Sequence, residues 1–122
     1  MNDNKSSKFI FENLKVYQFS NKLAIELIKN AIKFPYQYCR IRDQLIGSAI
    51  SVPLNIAEGS GRFSSKDKIN FYRMARSSNY ELLAIINICE ELKLLSKNDW
   101  LNTISVISKM LTNLIKSENN KK

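Results

Sequence analysis

The residues of this chain that could do chemistry are carboxylates, lysines, tyrosines and two cysteines, because the sequence contains no histidine. Histidine is the commonest general base and metal ligand, so the usual catalytic triads and zinc sites cannot be built. Cys39 and Cys89 lie far apart, without the CxxC spacing of a metal or redox site, and are predicted to be buried thiols. No phosphate-binding glycine motif is present. We therefore predict a protein that is not an enzyme and that holds no cofactor and no metal.

The densest group of ionised side chains that could bind a ligand lies between residues 62 and 76. Five cations in this stretch are opposed by a single acid, Asp67: they are Arg62, Lys66, Lys68, Arg73 and Arg76. On a helix, Lys66, Asn70 and Arg73 share one face, because they follow one another at spacings of four and three residues. Clustered cations of this kind are typical of proteins that contact the phosphates of nucleic acids. A solvated helix surface is the alternative interpretation.

Two aromatic residues lie within the same stretch. Phe63 and Tyr72 could stack on unpaired bases, as aromatic side chains do in single-strand-binding proteins. Packing of Tyr72 in the core is the competing possibility.

The net charge of the whole chain also favours a partner that carries negative charge. It is +8, from 19 basic and 11 acidic residues, which favours a polyanionic partner such as nucleic acid or an acidic membrane surface. Lysines that only keep a helical bundle in solution would give the same value.

Three polar residues stand among apolar neighbours and need partners if they are buried. They are Asn55 and Glu58 in the second apolar segment and Glu81 in the third. Buried carboxylates require a compensating charge, so we predict a buried clasp between Glu58 or Glu81 and a nearby arginine such as Arg62. A ligand-binding role and simple solvent exposure are the alternatives.

The elements that must position these residues are helices. Apolar residues repeat at spacings of three and four over residues 13–34, 38–58, 65–94 and 97–116, and three Gly and two Pro leave little material for the turns of a β-rich fold. The short connections predict an all-α, antiparallel, up-down-up-down four-helix bundle. Residues 13–116 would form the bundle, with residues 1–12 and 117–122 as flexible tails.

Several residues predict where the helices start, bend and end. Pro53 falls inside the second helix and predicts a kinked but continuous helix. Gly59 and Gly61 are predicted to adopt the left-handed conformation that often follows a helix end. Two pairs, Ser64 with Asp67 and Ser96 with Asp99, resemble capping boxes at the starts of the third and fourth helices.

The second helix is apolar on nearly every side. Its apolar residues are Ile41, Leu45, Ile46, Ala49, Ile50, Val52, Leu54, Ile56 and Ala57. Such a helix needs cover all round, which predicts that copies of the chain associate.

The longest uncharged run, residues 44–57, is shorter than the roughly 20 apolar residues of a membrane span, and the polar start is not a secretory signal. We predict a cytoplasmic protein without a membrane partner.

The segment Val52-Pro53-Leu54-Asn55-Ile56-Ala57-Glu58-Gly59-Ser60-Gly61-Arg62 resembles the SIPxNIAEGxGR signature of the 23S rRNA intervening sequence proteins. Three further matches are Leu14-Lys15-Val16-Tyr17 to the LKVW opening of that family, Phe34-Pro35 to its KFP turn, and Ala75 to Leu82 to its AxxSxxEL helix. The resemblance covers roughly residues 13–96. In one respect the chain departs from the family pattern: Ile46 and Gly47 stand where two arginines often follow the second-helix glutamine.

The resemblance implies an antiparallel four-helix bundle that assembles into a ring, commonly a homopentamer, with no assigned catalytic activity. It also implies that Pro53, Asn55, Glu58, Gly59, Arg62 and Glu81 are motif residues. A related branch is similar to the accessory subunits of diversity-generating retroelements, which bind a reverse transcriptase and its RNA. The family name refers to inserts in ribosomal RNA genes and does not by itself imply RNA binding.

Two functions therefore follow from the sequence. The first is an oligomeric bundle that binds or scaffolds structured RNA through Arg62, Lys66, Lys68, Arg73 and Arg76. The second is a protein-interaction adaptor, for example an accessory subunit of a reverse transcriptase or another RNP, that makes no contact with nucleic acid.

Overall fold

The computed structural model describes residues 8–121, and four long helices account for most of them. They are α1 (Lys15–Ala31), α2 (Cys39–Ser60), α3 (Ser65–Glu91) and α4 (Leu101–Asn119). Short 3-10 helices lie at Ile10–Asn13, Tyr36–Tyr38 and Lys97–Asp99. Residues 8–121 contain no strand, so the predicted all-helical fold class is confirmed.

Each of the four helices contributes one apolar face to a common core. The largest fully buried apolar side chains are Leu27, Leu45, Ile56, Leu82, Ile86, Ile107 and Leu111. Removing a side chain of this size from water stabilises the fold by about 1.5–3 kcal/mol. Of the two cysteines, Cys89 is buried as predicted, whereas Cys39 is only half-buried.

Contacts between the helices show how they are arranged. α2 packs along both α1 and α3, α3 also packs along α4, and α1 meets α4 over a shorter stretch. The hydroxyls of Ser51 and Ser78 lie 2.8 Å apart, and Gly59 abuts Phe71, so α2 and α3 run in opposite directions. The complete up-down-up-down order stays a prediction.

The turn between α2 and α3 is the part of the fold that positions the basic cluster. α2 continues without a break through Pro53, which is buried, and ends at Ser60. Ser64 then caps α3, because its side-chain oxygen accepts a hydrogen bond of 3.1 Å from the backbone N–H of Asp67. Ser64 is thus the N-cap of α3, as predicted, and it lies between Arg62 and the cations of the cluster that α3 carries.

The capping box predicted at Ser96 is wrong. No side-chain hydrogen bond caps this end; a 3-10 helix covers Lys97–Asp99, and α4 starts only at Leu101. The carboxylate of Glu90, on α3, instead accepts a hydrogen bond of 3.3 Å from the backbone N–H of Lys97. A contact from another helix therefore replaces the local cap.

The glycines after the second helix do not have the predicted left-handed conformation. Within residues 8–121 no glycine has positive φ, and Gly61 has φ of −87°. Gly59 is required for a different reason: an added Cβ would lie 2.9 Å from Phe71 Cβ and 2.9 Å from Tyr72 Cε1. Gly59 therefore permits the close approach of α2 to α3.

Part of the apolar surface of α2 is not covered by its own chain. Leu54 is 60% exposed and Ile50 is 38% exposed, although Leu45, Val52 and Ile56 are buried. The prediction that a single chain leaves this helix incompletely covered is confirmed for these two residues.

The two ends differ from the predicted tails in their local structure. At the amino end Ile10–Asn13 form a 3-10 helix, and at the carboxyl end α4 continues to Asn119. Residues 1–7 and 122 lie outside the described part of the chain, and the flexibility predicted for both tails stays a prediction.

Candidate nucleic-acid interface

The start of α3 brings two cations of the basic cluster to one place, with Asn70 between them. Lys66, Asn70 and Arg73 line a shallow cavity of about 240 Å³ together with Glu118 of α4. Lys66 and Arg73 are exposed, and neither forms an ion pair within residues 8–121. The helical face predicted for these residues is therefore present, and its two cations are free to meet an anion.

The other three cations of the cluster are already held by the protein. Arg62 donates a hydrogen bond of 3.0 Å to Glu58 and lies 4.5 Å from the ring centroid of Phe71. Lys68 donates a hydrogen bond of 3.1 Å to the backbone oxygen of Ser60. These contacts fix where the charges lie, while Arg62 remains exposed enough to contact a ligand.

Arg76 differs from the rest of the cluster because it reaches towards α4. It is half-buried, and its guanidinium donates a hydrogen bond of 3.1 Å to Thr112 Oγ1. Arg76 is therefore less available to a ligand than the exposed Lys66 and Arg73.

Glu118 is a functional neighbour of the cluster that the sequence analysis missed. Its buried carboxylate accepts hydrogen bonds of 2.8 Å from Ser65 Oγ and 3.0 Å from Lys121 Nζ. Position 118 continues the three-four apolar repeat of α4, and this was the available sign that it faces inward. Its contacts join the end of α4 to the start of α3.

The charge state of Glu118 follows from these contacts. Burial alone would raise its pKa, but the hydrogen bonds from Lys121 and Ser65 and the charges of Lys121 and Lys68 outweigh burial, so the pKa is lowered. The carboxylate is therefore ionised at neutral pH. It also contributes, after burial, to raising the pKa of Tyr72 to about 12.

The two aromatic residues of the cluster have opposite environments. Tyr72 is buried, with 2% of its surface exposed, so the prediction that it stacks on bases is wrong and the core-packing alternative is correct. Phe63 is fully exposed between Arg62 and Ser64, in the turn that leads into α3. Of these two residues, it is Phe63 that presents a ring to solvent beside the cations.

The predicted buried clasp is not formed within the chain. Glu58 pairs with Arg62 as expected, but this is a surface pair, because both side chains are exposed. Glu81 is exposed and forms no ion pair within residues 8–121. Asn55 is satisfied locally instead, since its amide donates to Ser51 O at 2.9 Å and to Ser51 Oγ at 3.0 Å.

Residues 8–121 contain neither a metal site built from acidic or cysteine side chains nor a membrane-spanning helix. No cluster of three or more histidine, cysteine, aspartate or glutamate residues is arranged to hold a metal ion. No helix in this part of the chain has the length and apolar character needed to cross a lipid bilayer.

Comparison with known proteins places the fold in a family. The family model described as 23S rRNA-intervening sequence protein matches residues 12–113. The chain belongs to this family. The match spans α1, α2, α3 and most of α4, and it includes the segment from Pro53 to Arg62 on which the resemblance was based. A search of curated proteins finds no match.

The intervening sequence family assignment confirms the recognition made from the sequence, and it covers most but not all of the candidate interface. All five predicted cations lie within the matched range, as do Glu58 and Glu81. Glu118 and Lys121 lie beyond it. The carboxylate that closes one side of the cavity is therefore outside the region that the family model describes.

Proposed function

We propose that this chain is a non-enzymatic, cytoplasmic RNA-binding protein that acts as a homo-oligomer. The start of α3 is the surface that contacts RNA phosphates. The observation that carries the proposal is the pair of exposed, unpaired cations, Lys66 and Arg73, on one side of a shared cavity. They lie seven residues apart, or about 10 Å along the helix, so a single strand can meet both.

The other residues of the surface have supporting roles. Arg62 and Lys68 lie close by and extend the positive field across the α2–α3 turn. Phe63 offers a flat apolar ring that suits an unpaired base. Phosphate contacts of this kind give affinity with little reading of sequence.

The carboxylates of the same surface limit how strong the interaction can be. Glu58, Asp67 and Glu118 oppose the five cations, and Glu58 and Glu118 are each paired with a cation of their own. One chain therefore presents only a modest positive surface. Several copies would bring several such surfaces together, and this links RNA binding to assembly.

Assembly is proposed from the uncovered residues of α2. Leu54 and Ile50 are exposed apolar residues of α2, and association of copies would remove both from water. A pentameric ring is the arrangement that the family resemblance favours.

The second candidate function is a protein adaptor whose charge serves only solubility. The exposed apolar residues of α2 favour it as well, because a different protein could cover them. The two candidates differ in whether the chain binds RNA.

The experiment that separates them is binding of a structured RNA measured across a salt series. Three to five phosphate contacts predict that affinity falls roughly 30- to 250-fold between about 50 and 200 mM salt. A protein that binds no RNA at the lowest salt would exclude the first function and leave the adaptor. Weak binding that does not change with salt would also contradict a phosphate-contacting surface.

A further inference from the structure

A groove runs between α2 and α3 on the described surface. Its cavity of about 520 Å³ is lined on α2 by residues that include Gly47 and Ser51, and on α3 by Glu81. At one end it adjoins a smaller hollow beside Ile88, and Arg40 and Gln44 line both. These residues define the α2–α3 groove.

No contact within the chain explains why position 47 is a glycine. It lies in the interior of α2 and is exposed, and a Cβ added to it would meet nothing within 4 Å. Glycine is among the least favourable residues in a helix interior. Unlike Gly59, which α3 requires, Gly47 leaves open space that something outside the chain can use.

The α3 side of the groove carries an exposed stripe of its own. Met74, Ser77, Glu81, Ala84 and Ile88 follow one another at spacings of three and four, and all five are exposed. Met74 and Ile88 stand at the ends, the small residues lie between them, and Glu81 is central. This pattern accepts the side chains of another helix, with a cation opposite the carboxylate.

A matching stripe lies on α1. Lys22, Ile25, Lys29 and Ile32 are exposed and have the same three-four spacing, with Ile25 45% exposed and Ile32 65% exposed. Their side chains alternate between cationic and apolar. The two stripes are therefore complementary in charge and size, because a lysine of one would pair with the carboxylate of the other and an isoleucine would fit over glycine, serine or alanine.

We infer that the α2–α3 groove of one copy receives α1 of a neighbouring copy. Lys29 pairs with Glu81 of that neighbour, and the flanking isoleucines lie over Gly47 and Ala84. Because the two surfaces are different, the contact is head-to-tail, and repetition closes a ring when the rotation between copies allows it. The inference rests on the proposed assembly and identifies the surfaces that make it.

The negative charge of Glu81 favours a second copy of the chain over RNA as the occupant of the α2–α3 groove. The groove is lined by Arg40 as well as by the carboxylates of Asp43 and Glu81. Arg42 pairs with Asp43 at 3.1 Å, whereas Glu81 forms no ion pair within residues 8–121. A phosphate placed beside Glu81 would be repelled, whereas the lysines of α1 would be attracted. The groove and the RNA surface are therefore separate sites on this chain.

The test is a charge exchange followed by sedimentation of the purified full-length chain over a range of concentrations. Glu81→Lys and Lys29→Glu each place like charges together, and each is expected to raise the half-assembly concentration by at least about tenfold. The double variant Glu81→Lys/Lys29→Glu restores an opposite pair and is expected to return assembly towards that of the unmodified protein. Lys109→Glu, a charge reversal at an exposed lysine of α4 outside both stripes, is the matched control and should leave assembly unchanged.

Gly47→Leu gives a second readout that is independent of charge. Its Cβ meets nothing in the chain, so the helical circular dichroism spectrum should be retained while assembly is lost. An unmodified protein with the mass of a single chain would overturn both this inference and the proposed assembly. An assembled protein whose mass is unaffected by the single charge reversals and by Gly47→Leu would overturn only the groove assignment. A double variant that assembles no better than the single variants would also overturn the groove assignment. Another partner would then occupy the groove.

Discussion

Gly59 shows how one residue sets the distance between two helices. A Cβ at this position would meet Phe71 Cβ and Tyr72 Cε1 at 2.9 Å each, and Phe71 Cβ can move only with the backbone of α3. The same approach orders the α2–α3 turn, from which Arg62 and Phe63 project. The glycine therefore acts on the candidate interface through packing.

Gly59→Ala is expected to destabilise the protein by about 1–3 kcal/mol, the usual cost of overpacking a well-filled site. Gly61→Ala is the matched control, because its nearest neighbour would be Glu58 O at 3.6 Å, an ordinary contact. Urea unfolding of the two variants measures the difference. Equal stability of both would mean that the helices can separate at no cost and that the packing role of Gly59 is wrong.

The end of α3 is followed by a residue, Lys93, whose backbone conformation is unfavourable for any residue with a Cβ. Lys93 has φ of +62°, in the left-handed region, and it is the only residue between 8 and 121 with a positive φ. The backbone N–H of Leu94 donates a hydrogen bond of 2.8 Å to Cys89 O, which closes the helix end. Glycine is the usual residue at such a position, because it has no Cβ to clash.

Lys93→Gly is therefore expected to stabilise the fold by about 1 kcal/mol. Lys93→Ala is the control, since it removes the charge and the long side chain but keeps the Cβ. Thermal or urea unfolding should give Lys93→Gly a larger free energy of unfolding than both the unmodified protein and the alanine variant. A glycine variant no more stable than the alanine variant would show that the left-handed conformation is not strained.

The same element shows which parts of the fold and of the candidate site could be predicted from sequence. The three-four repeat identified α3 and the face shared by Lys66, Asn70 and Arg73, because helical spacing is a local property. It could not show that Tyr72 is buried or that Glu81 is exposed, because that depends on how α3 is rotated against α2 and α4. Glu118 was missed for a similar reason: its partner Ser65 is far away in sequence. The Ser96 cap failed because Glu90, on a neighbouring helix, contacts the backbone there.

At the scale of the whole molecule, the structure separates two kinds of surface. The start of α3 gathers cations around a shallow cavity, while the α2–α3 groove holds Glu81 and open space beside Gly47. The first surface is the proposed contact with RNA, and the second is the proposed contact with another copy of the chain. Assembly would then raise RNA affinity, because several cationic surfaces act on one strand.

The central claim is that RNA binds at the start of α3. The most direct measurement is the affinity of the double variant Lys66→Glu/Arg73→Glu for a structured RNA at low salt. Lys109→Glu/Lys116→Glu is the control, because it makes the same change in net charge at two exposed lysines of α4 with the same spacing of seven residues. We predict that the α3 variant loses at least roughly tenfold more affinity than the control, while both keep the assembled mass. Equal affinity for the two variants would contradict the claim, because net charge rather than this surface would then determine binding.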